Sequence, residues 1–210
     1  MARKSDGYFS ADEKRRIEEA VEEAEKRTSG EIVPMVVEEA YDYPRAEIIG
    51  GGFFALGFAS LVSWYWWHAS LWAFLPAFLL LYLPCKWLIR HTRALRRCFT
   101  ARQEIDEEVR ERALVAFVEQ GLHHTRDATG ILILVCLFER RVEVLADQGI
   151  NAVVPQQTWQ EIVDMVVDGL RCGRACEALC QAIGRCGNLL EEQFPVRTDD
   201  VDELPNLIID

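Results

Sequence analysis

A chain of 210 residues with a formal net charge of −11 has room for one ordinary domain and an appendage. It is too acidic for a general nucleic-acid binder, which needs a basic face against phosphate. Hydrophobic residues make up 50% and charged residues 27%, which excludes collagen-like and wholly disordered chains. The averages hide a segregation: from Phe53 to Trp87 the only formal charge is Lys86, and much of the Trp and Phe content lies there. The seven Cys follow no disulfide-scaffold spacing and read as reduced thiols. The polar opening MARKSDGYFSADEKRR stands where the apolar stretch of a cleavable signal peptide would be, so none is expected.

In chain order, Ser10 and Glu13 have the spacing of a capping box, and Ile17, Ala20, Val21 and Ala24 then recur on one helix face until Thr28, Ser29 and Gly30 end it. Glu31 to Glu39, EIVPMVVEE, reads as a strand in which Pro34 suggests an edge or a bulge. Ile48 to Trp67 and Ser70 to Ile89 are apolar runs, the second broken by Lys86, and each is long enough to cross a hydrocarbon core of about 30 Å. Only His68 and Ala69 separate them, so a tight transmembrane hairpin is expected with both ends on one side. Trp64, Tyr65, Trp66, Trp67 and Trp72 gather at its turn, as indoles do at headgroup level. Pro76 and Pro84 are expected to kink the second span.

The flanks orient this hairpin. Arg45 precedes the first span, Lys86, Arg90, Arg93, Arg96 and Arg97 close and follow the second, and the turn has no Lys or Arg. The positive-inside rule then places the termini and polar segments in the cytoplasm, as a two-pass protein of a bacterial inner (plasma) membrane. The Arg cluster reads as a topology signal in contact with anionic lipid headgroups, ahead of a phosphoinositide or nucleic-acid site. Gly51, Ala55, Ala59 and Ser63 form a small-residue stripe, which packs either on the second span, the default, or on a homodimer mate or a partner's span.

Beyond the membrane window, Ala101 to Gln120 reads as a helix with Ile105, Val109, Ala113, Leu114, Phe117 and Val118 on its apolar side. Gly130 to Phe138, GILILVCLF, is too apolar for an exposed strand and too short to span, so it is the expected central buried strand. Glu139 and Arg140 turn it into a third strand, Val142 to Asp147. Pro155 and Thr158 open a helix with Trp159, Ile162, Val163, Val166, Val167 and Leu170 at helical spacing. A last helix, about Ala175 to Glu192, follows with Cys176, Leu179, Cys180 and Ile183 on its apolar face. The acidic tail, PVRTDDVDELPNLIID, is expected to be extended and solvated, with Leu204, Leu207, Ile208 and Ile209 as the alternative means of docking.

The fold expected is α/β, a small mixed-sheet α/β/α sandwich interrupted by a two-helix transmembrane hairpin. Residues 1–45 supply the first helix and strand, 46–90 the hairpin, 91–194 the remainder of the domain and 195–210 the tail. Since the first strand precedes the hairpin and the others follow it, the number of spans must be even.

Three groups invite chemistry. Cys172, Cys176, Cys180 and Cys186 suggest a zinc or iron–sulfur site, but i, i+4, i+8 spacing stacks sulfurs along a helix rather than converging them, so buried thiols are the default. Cys85 and Cys98 flank the membrane window as candidates for palmitoylation or as inert thiols. His123 and His124, followed by Asp127, offer a metal or proton-transfer pair, with an exposed loop as the default. No GxSxG, phosphate-binding glycine loop or dinucleotide fingerprint is present.

The segment DATGILILVCLFERRVEVLADQGIN, Asp127 to Asn151, resembles the paired-strand block of the TPM domain family, named for thylakoid and photosystem-repair proteins and including proteins described as acid phosphatases. The helix EEVRERALVAFVEQGL before it, the WQEIV, DGLRCG and ACEALCQAIG runs after it and the ending FPVRTDDVDELPN are similar too. The resemblance implies a Rossmann-like α/β/α sandwich with an acidic metal site at strand ends. Its carboxylates would stand before the central strand, at the turn and inside the next strand. Here those positions hold Ala128, Phe138 with Glu139, and Leu145, while Asp127, Glu139 and Asp147 are the carboxylates nearest to them. Phe138 and Leu145 supply no ligand to a calcium or magnesium ion. The expectation is therefore no cofactor and no nucleic acid, with lipid and protein partners such as a chaperone or a membrane complex. A phosphatase using a divalent cation at Asp127, Glu139 and Asp147 is the first alternative, and an accessory subunit of a membrane transporter the second.

Overall fold

The computed structural model describes residues 7–67, 70–125, 128–196 and 204–210. The chain forms two compact units, one of Met1–Ala40 with Asp106–Asp210 and one of Tyr41–Ile105.

The first unit is built on a four-stranded sheet. Helix α1 (Ala11–Glu25) starts at the expected capping box: the Glu13 N–H donates to Ser10 Oγ at 3.3 Å and the Ser10 N–H to Glu13 Oε2 at 2.9 Å. Strand β1 (Glu31–Val37) pairs in parallel with β2 (Gly130–Cys136), from Glu31 beside Gly130 to Val37 beside Cys136. Strand β3 (Arg141–Ala146) pairs antiparallel with β2, and β4 (Ile208–Ile209) pairs in parallel with β1, giving the order β3-β2-β1-β4.

Helices α7 (Gln156–Arg171) and α8 (Ala175–Gln193) cover one face together with α1. Ile32, Val36, Ile131, Ile133, Val135 and Val142 bury into that layer with Ile17, Val21, Ile162, Leu179 and Ile183. A Cβ on Gly187 of α8 would lie 2.7 Å from the Ala24 Cβ, so glycine sets how closely α1 and α8 cross. The other face holds Val33, Met35, Val37, Leu132, Leu134 and Cys136, all buried. Helix α5 (Arg102–Glu119) is tied across it by two ion pairs, Arg141 to Asp106 at 2.8 Å and Arg112 to Asp210 at 2.8 Å.

Three expectations change. Pro34 marks no bulge, and β1 is an edge only in part: it runs in continuous register with β2, while on its other side β4 pairs only with Met35 and Val36. Strand alternation explains its tolerance. The Glu31 N–H donates to Thr129 O, so odd positions of β1 face β2, whereas the Ile32 N–H donates to Glu25 Oε1 and Val36 O accepts from the Asp210 N–H on the other side. The donor that proline lacks thus belongs to the outer side, where β4 reaches only Met35 and Val36.

Leu114 and Val118 are not on the buried side of α5. They are 52% and 59% exposed, while Val109, Ala113 and Ala116 are buried. Leu114, Val115, Phe117 and Val118 wrap around the helix, so periodicity alone selects no face, and the ion pairs at Asp106 and Arg112 fix its rotation. Third, the end of the tail is not solvated throughout: Ile208 and Ile209 form β4, and Leu207 packs against the core.

The second unit contains α2 (Pro44–Trp67), α3 (Leu71–His91) and α4 (Arg93–Phe99). An 18-residue stretch within Pro44–Tyr65 has a mean hydropathy of 1.5 and one within Leu71–His91 a mean of 1.6, so both helices are long and apolar enough to cross a membrane. The expected turn at His68 and Ala69 lies outside the described residues, and α3 continues through Pro76 and Pro84. The small-residue stripe faces α3: a Cβ on Gly51 would lie 2.9 Å from Lys86 Cα, Ala55 and Ala59 are fully buried, and Ser63 Oγ donates to Ser70 O at 3.0 Å.

Candidate functional site at the two ends of the β2–β3 pair

Two of the three carboxylates singled out from the sequence, Glu139 and Asp147, flank strand β3 of the sheet that the hydrophobic pattern builds. Glu139 lies in the tight turn from β2 to β3, where Arg140 adopts a left-handed φ of 52°. Its side chain is buried, at 3% exposure, and Oε1 accepts the Ala40 N–H at 2.9 Å. Together with the Phe138 N–H donating to Glu38 O at 2.8 Å, this ties the chain leaving β1 to the β2–β3 turn.

Asp147 lies at the opposite end. Its N–H donates to Gly130 O at 2.9 Å, closing the ladder, and its Oδ1 accepts the Gln148 N–H at 2.6 Å as the cap of α6 (Gln148–Asn151). Its Oδ2 is buried and meets no hydrogen-bond partner among the described residues. Between Glu139 and Asp147 runs the ladder from Cys136–Arg141 to Ile131–Ala146. At about 3.4 Å per residue it separates them by roughly 17 Å.

Asp127 lies outside the described residues. Ala128 has a left-handed φ of 54°, and its carbonyl accepts the Gly149 N–H, so Ala128 meets the Asp147 end. Phe138 is buried and Leu145 half-buried, and neither carries a donor atom for a cation. Glu139 and Asp147 are therefore not brought together.

The other candidates disperse as well. Cys176 and Cys186 are buried, Cys180 is half-buried and Cys172 is exposed. Burial pushes the Cys186 thiol up to about 12 and the Cys180 thiol to about 11, the latter also through its neighbour Cys176. His123 and His124 sit exposed on a short 3₁₀ turn with ring centroids 3.7 Å apart. Among the described residues, no group of three or more His, Cys, Asp or Glu is placed to hold a metal ion.

Of the Arg cluster expected to meet lipid, Arg90 and Arg93 are exposed, and Arg90 lies 3.9 Å from Glu47. Arg97 is half-buried. Arg96 is buried at 9% exposure, which corrects its expected role as a headgroup contact.

One feature of the sheet escaped the sequence. Strand β3 has no neighbour on its outer side among the described residues, and cavities of about 410 and 530 Å³ follow that edge between α5 and α7. Half-buried Glu143 lines both, with its carboxyl raised above the usual range, chiefly by burial. No sequence signal marked Glu143, because strand order decides which strand ends a sheet.

Residues 95–189 match the family model of the TPM domain. The match begins after α2 and α3, so α1 and β1 lie outside it in sequence and join the domain through the packing of α1 on α8 and the pairing of β1 with β2. Comparison with curated proteins finds no match. Among solved structures, the fold is similar to the NMR structure of BA42 protein from the psychrophilic bacterium Bizionia argentinensis. The two share 23% sequence identity over 96% of this chain and 94% of that one, with a TM-score of 0.59. That likeness concerns the fold alone.

Proposed function

We propose that this chain, whose residues 95–189 match the TPM domain, is a membrane-anchored interaction module. The α2–α3 hairpin inserts in the bilayer, and the α/β unit, on the cytoplasmic side of a bacterial inner membrane, engages other proteins during assembly or upkeep of membrane complexes. The separation of Glu139 from Asp147 carries this reading. Phosphoryl chemistry on a divalent cation needs several oxygen ligands around one ion, and carboxylates at opposite ends of a ladder do not supply them. Each has a structural task instead, Glu139 holding Ala40 and Asp147 capping α6.

Two further observations support the anchor. Parallel pairing of β1 with β2 requires the intervening chain to return to the side it left, as two spans do. The stripe Gly51, Ala55, Ala59 and Ser63 is used within the hairpin, which weighs against its serving as a docking face for a transporter or for a second copy.

Cross-linking of the full chain in its native membrane, followed by purification in mild detergent, tests this reading. We expect a reproducible set of membrane proteins linked to residues of the α/β unit. Absence of partners, together with phosphomonoester hydrolysis that Asp147→Ala abolishes, would replace the module with an enzyme.

A further inference from the structure

The Asp147 N–H meets Gly130 O, so in β3 the backbone groups of Arg141, Glu143 and Leu145 face β2, while those of Val142 and Val144 and the Ala146 N–H face outward. Ala146 O is already taken by Asn151 Nδ2. Among the described residues no chain covers the remaining groups, and such a row is a template for an added strand. The edge is framed as a groove. Arg110 and Asp106 of α5 stand on one wall, and Trp159, Gln160 and Val163 of α7 on the other. Trp159 is buried at 8% exposure, yet its indole N–H, on a side chain that lines the cavity, has no acceptor among the described residues.

Charge decides what fits. Arg141 is held by Asp106 at 2.8 Å and Arg171 by Asp168 at 3.5 Å. That leaves Arg110 as the cation acting on Glu143, while Asp164, held by Gln160 Nε2, adds a further carboxylate. We infer that the outer edge of β3 binds an extended peptide as a fifth strand, with basic side chains towards Glu143 and apolar ones towards Val144 and Val163. Neighbours across a sheet share a face, so a residue beside Glu143 points to the α5 wall and one beside Val144 to the α7 wall. A second copy is the poorer occupant, because β3 against β3 brings the same carboxylates together. Basic segments of this kind flank the cytoplasmic ends of membrane proteins. The inference thus deepens the interaction reading, on which its choice of partner rests.

The full chain in nanodiscs of neutral phosphatidylcholine, which do not attract a basic peptide, is titrated with a labelled peptide of about ten alternating Lys and Val residues. We expect saturable binding, weakened at least about tenfold when alternate peptide nitrogens are methylated. The matching Glu–Val peptide should not bind, and Glu143→Arg should invert the preference. The methylated peptide leaves the protein untouched, so loss of binding there cannot come from unfolding. Equal binding of the methylated peptide, an unchanged preference in Glu143→Arg, or no binding up to about 1 mM would overturn the inference. Self-association abolished by Glu143→Arg and not competed by the peptide would assign the edge to a second copy and overturn it too. Partners captured from membranes without peptide binding would leave the interaction module standing and remove this edge from it. Peptide binding without captured partners would do the reverse.

Discussion

Val36 lies beside Val135 in one parallel ladder, although the whole α2–α3 hairpin separates them in sequence. Val36 is fully buried in the layer beneath α1, α7 and α8, and Val37, at 2% exposure, is buried on the opposite face. Burial of such a side chain is worth about 1.5–3 kcal/mol, and an unpartnered carboxylate in its place costs more. Against a total of about 5–15 kcal/mol, Val36→Asp or Val37→Asp should make the α/β unit protease-sensitive while both spans stay inserted. Limited proteolysis of membranes reads this directly. Val115→Asp, at a 42% exposed position, should stay within about 0.5 kcal/mol of the parent. Protease resistance in both Val36→Asp and Val37→Asp would remove β1 from the sheet.

The distance between Glu139 and Asp147 bears on chemistry. Purified full chain should hydrolyse phosphate esters poorly with magnesium, calcium or manganese. Glu139→Ala should lower stability by roughly 1–3 kcal/mol through loss of the buried bond to Ala40, with no loss of a catalytic rate. Robust hydrolysis abolished by Glu139→Ala in protein that still resists protease would mean that the two ends of the ladder do act together.

Glu143 gives a pH signature. Burial raises its carboxyl, Asp106 adds to the rise and Arg110 opposes it. The folded state therefore holds this proton more tightly than the unfolded chain does. Stability falls as pH rises from the ordinary carboxylate range through the raised value, and the deficit is complete above that. Glu143→Gln should accordingly stabilise the chain at about pH 8 and change little at about pH 4. Pulse proteolysis in urea at both values provides the measurement, and equal effects at the two would contradict the assignment.

The thiols should divide by burial. Burial raises Cys136 well above the usual thiol range, with Glu139 adding to the rise, and brings Cys186 to about 12, whereas Cys172 and Cys98 are exposed. Maleimide labelling near neutral pH should modify Cys172 and Cys98 and spare Cys136 and Cys186 until denaturant is added. Mass spectrometry of labelled peptides would show any departure, and rapid native labelling of Cys186 would contradict the packing of α8.

Much of this was legible in the residues, for identifiable reasons. GILILVC declares a strand buried on both faces, and Ser10 with Glu13 declares the start of α1, because each signal is local. Pro34 misled in part because its cost depends on which neighbour its missing donor would have served. Leu114 and Val118 misled because the apolar residues of α5 wrap around the helix and distant Arg141 and Asp210 set its rotation. The split of Glu139 from Asp147 was implicit in the register, since in an antiparallel pair joined by a tight turn the turn residue Glu139 stands at one end and Asp147, which leaves the second strand, at the other. That β3 ends the sheet among the described residues follows from strand order, which no single segment encodes.

Side of the membrane is the most direct test of a single domain interrupted by a bilayer hairpin. A reporter active only outside the cytoplasm should be silent when fused after Asp210 and active when inserted at Ala69, and one fused at the N-terminus should match Asp210. Activity after Asp210 with silence at Ala69 would invert the protein, and opposite results at the two termini would contradict the paired spans on which the shared sheet depends.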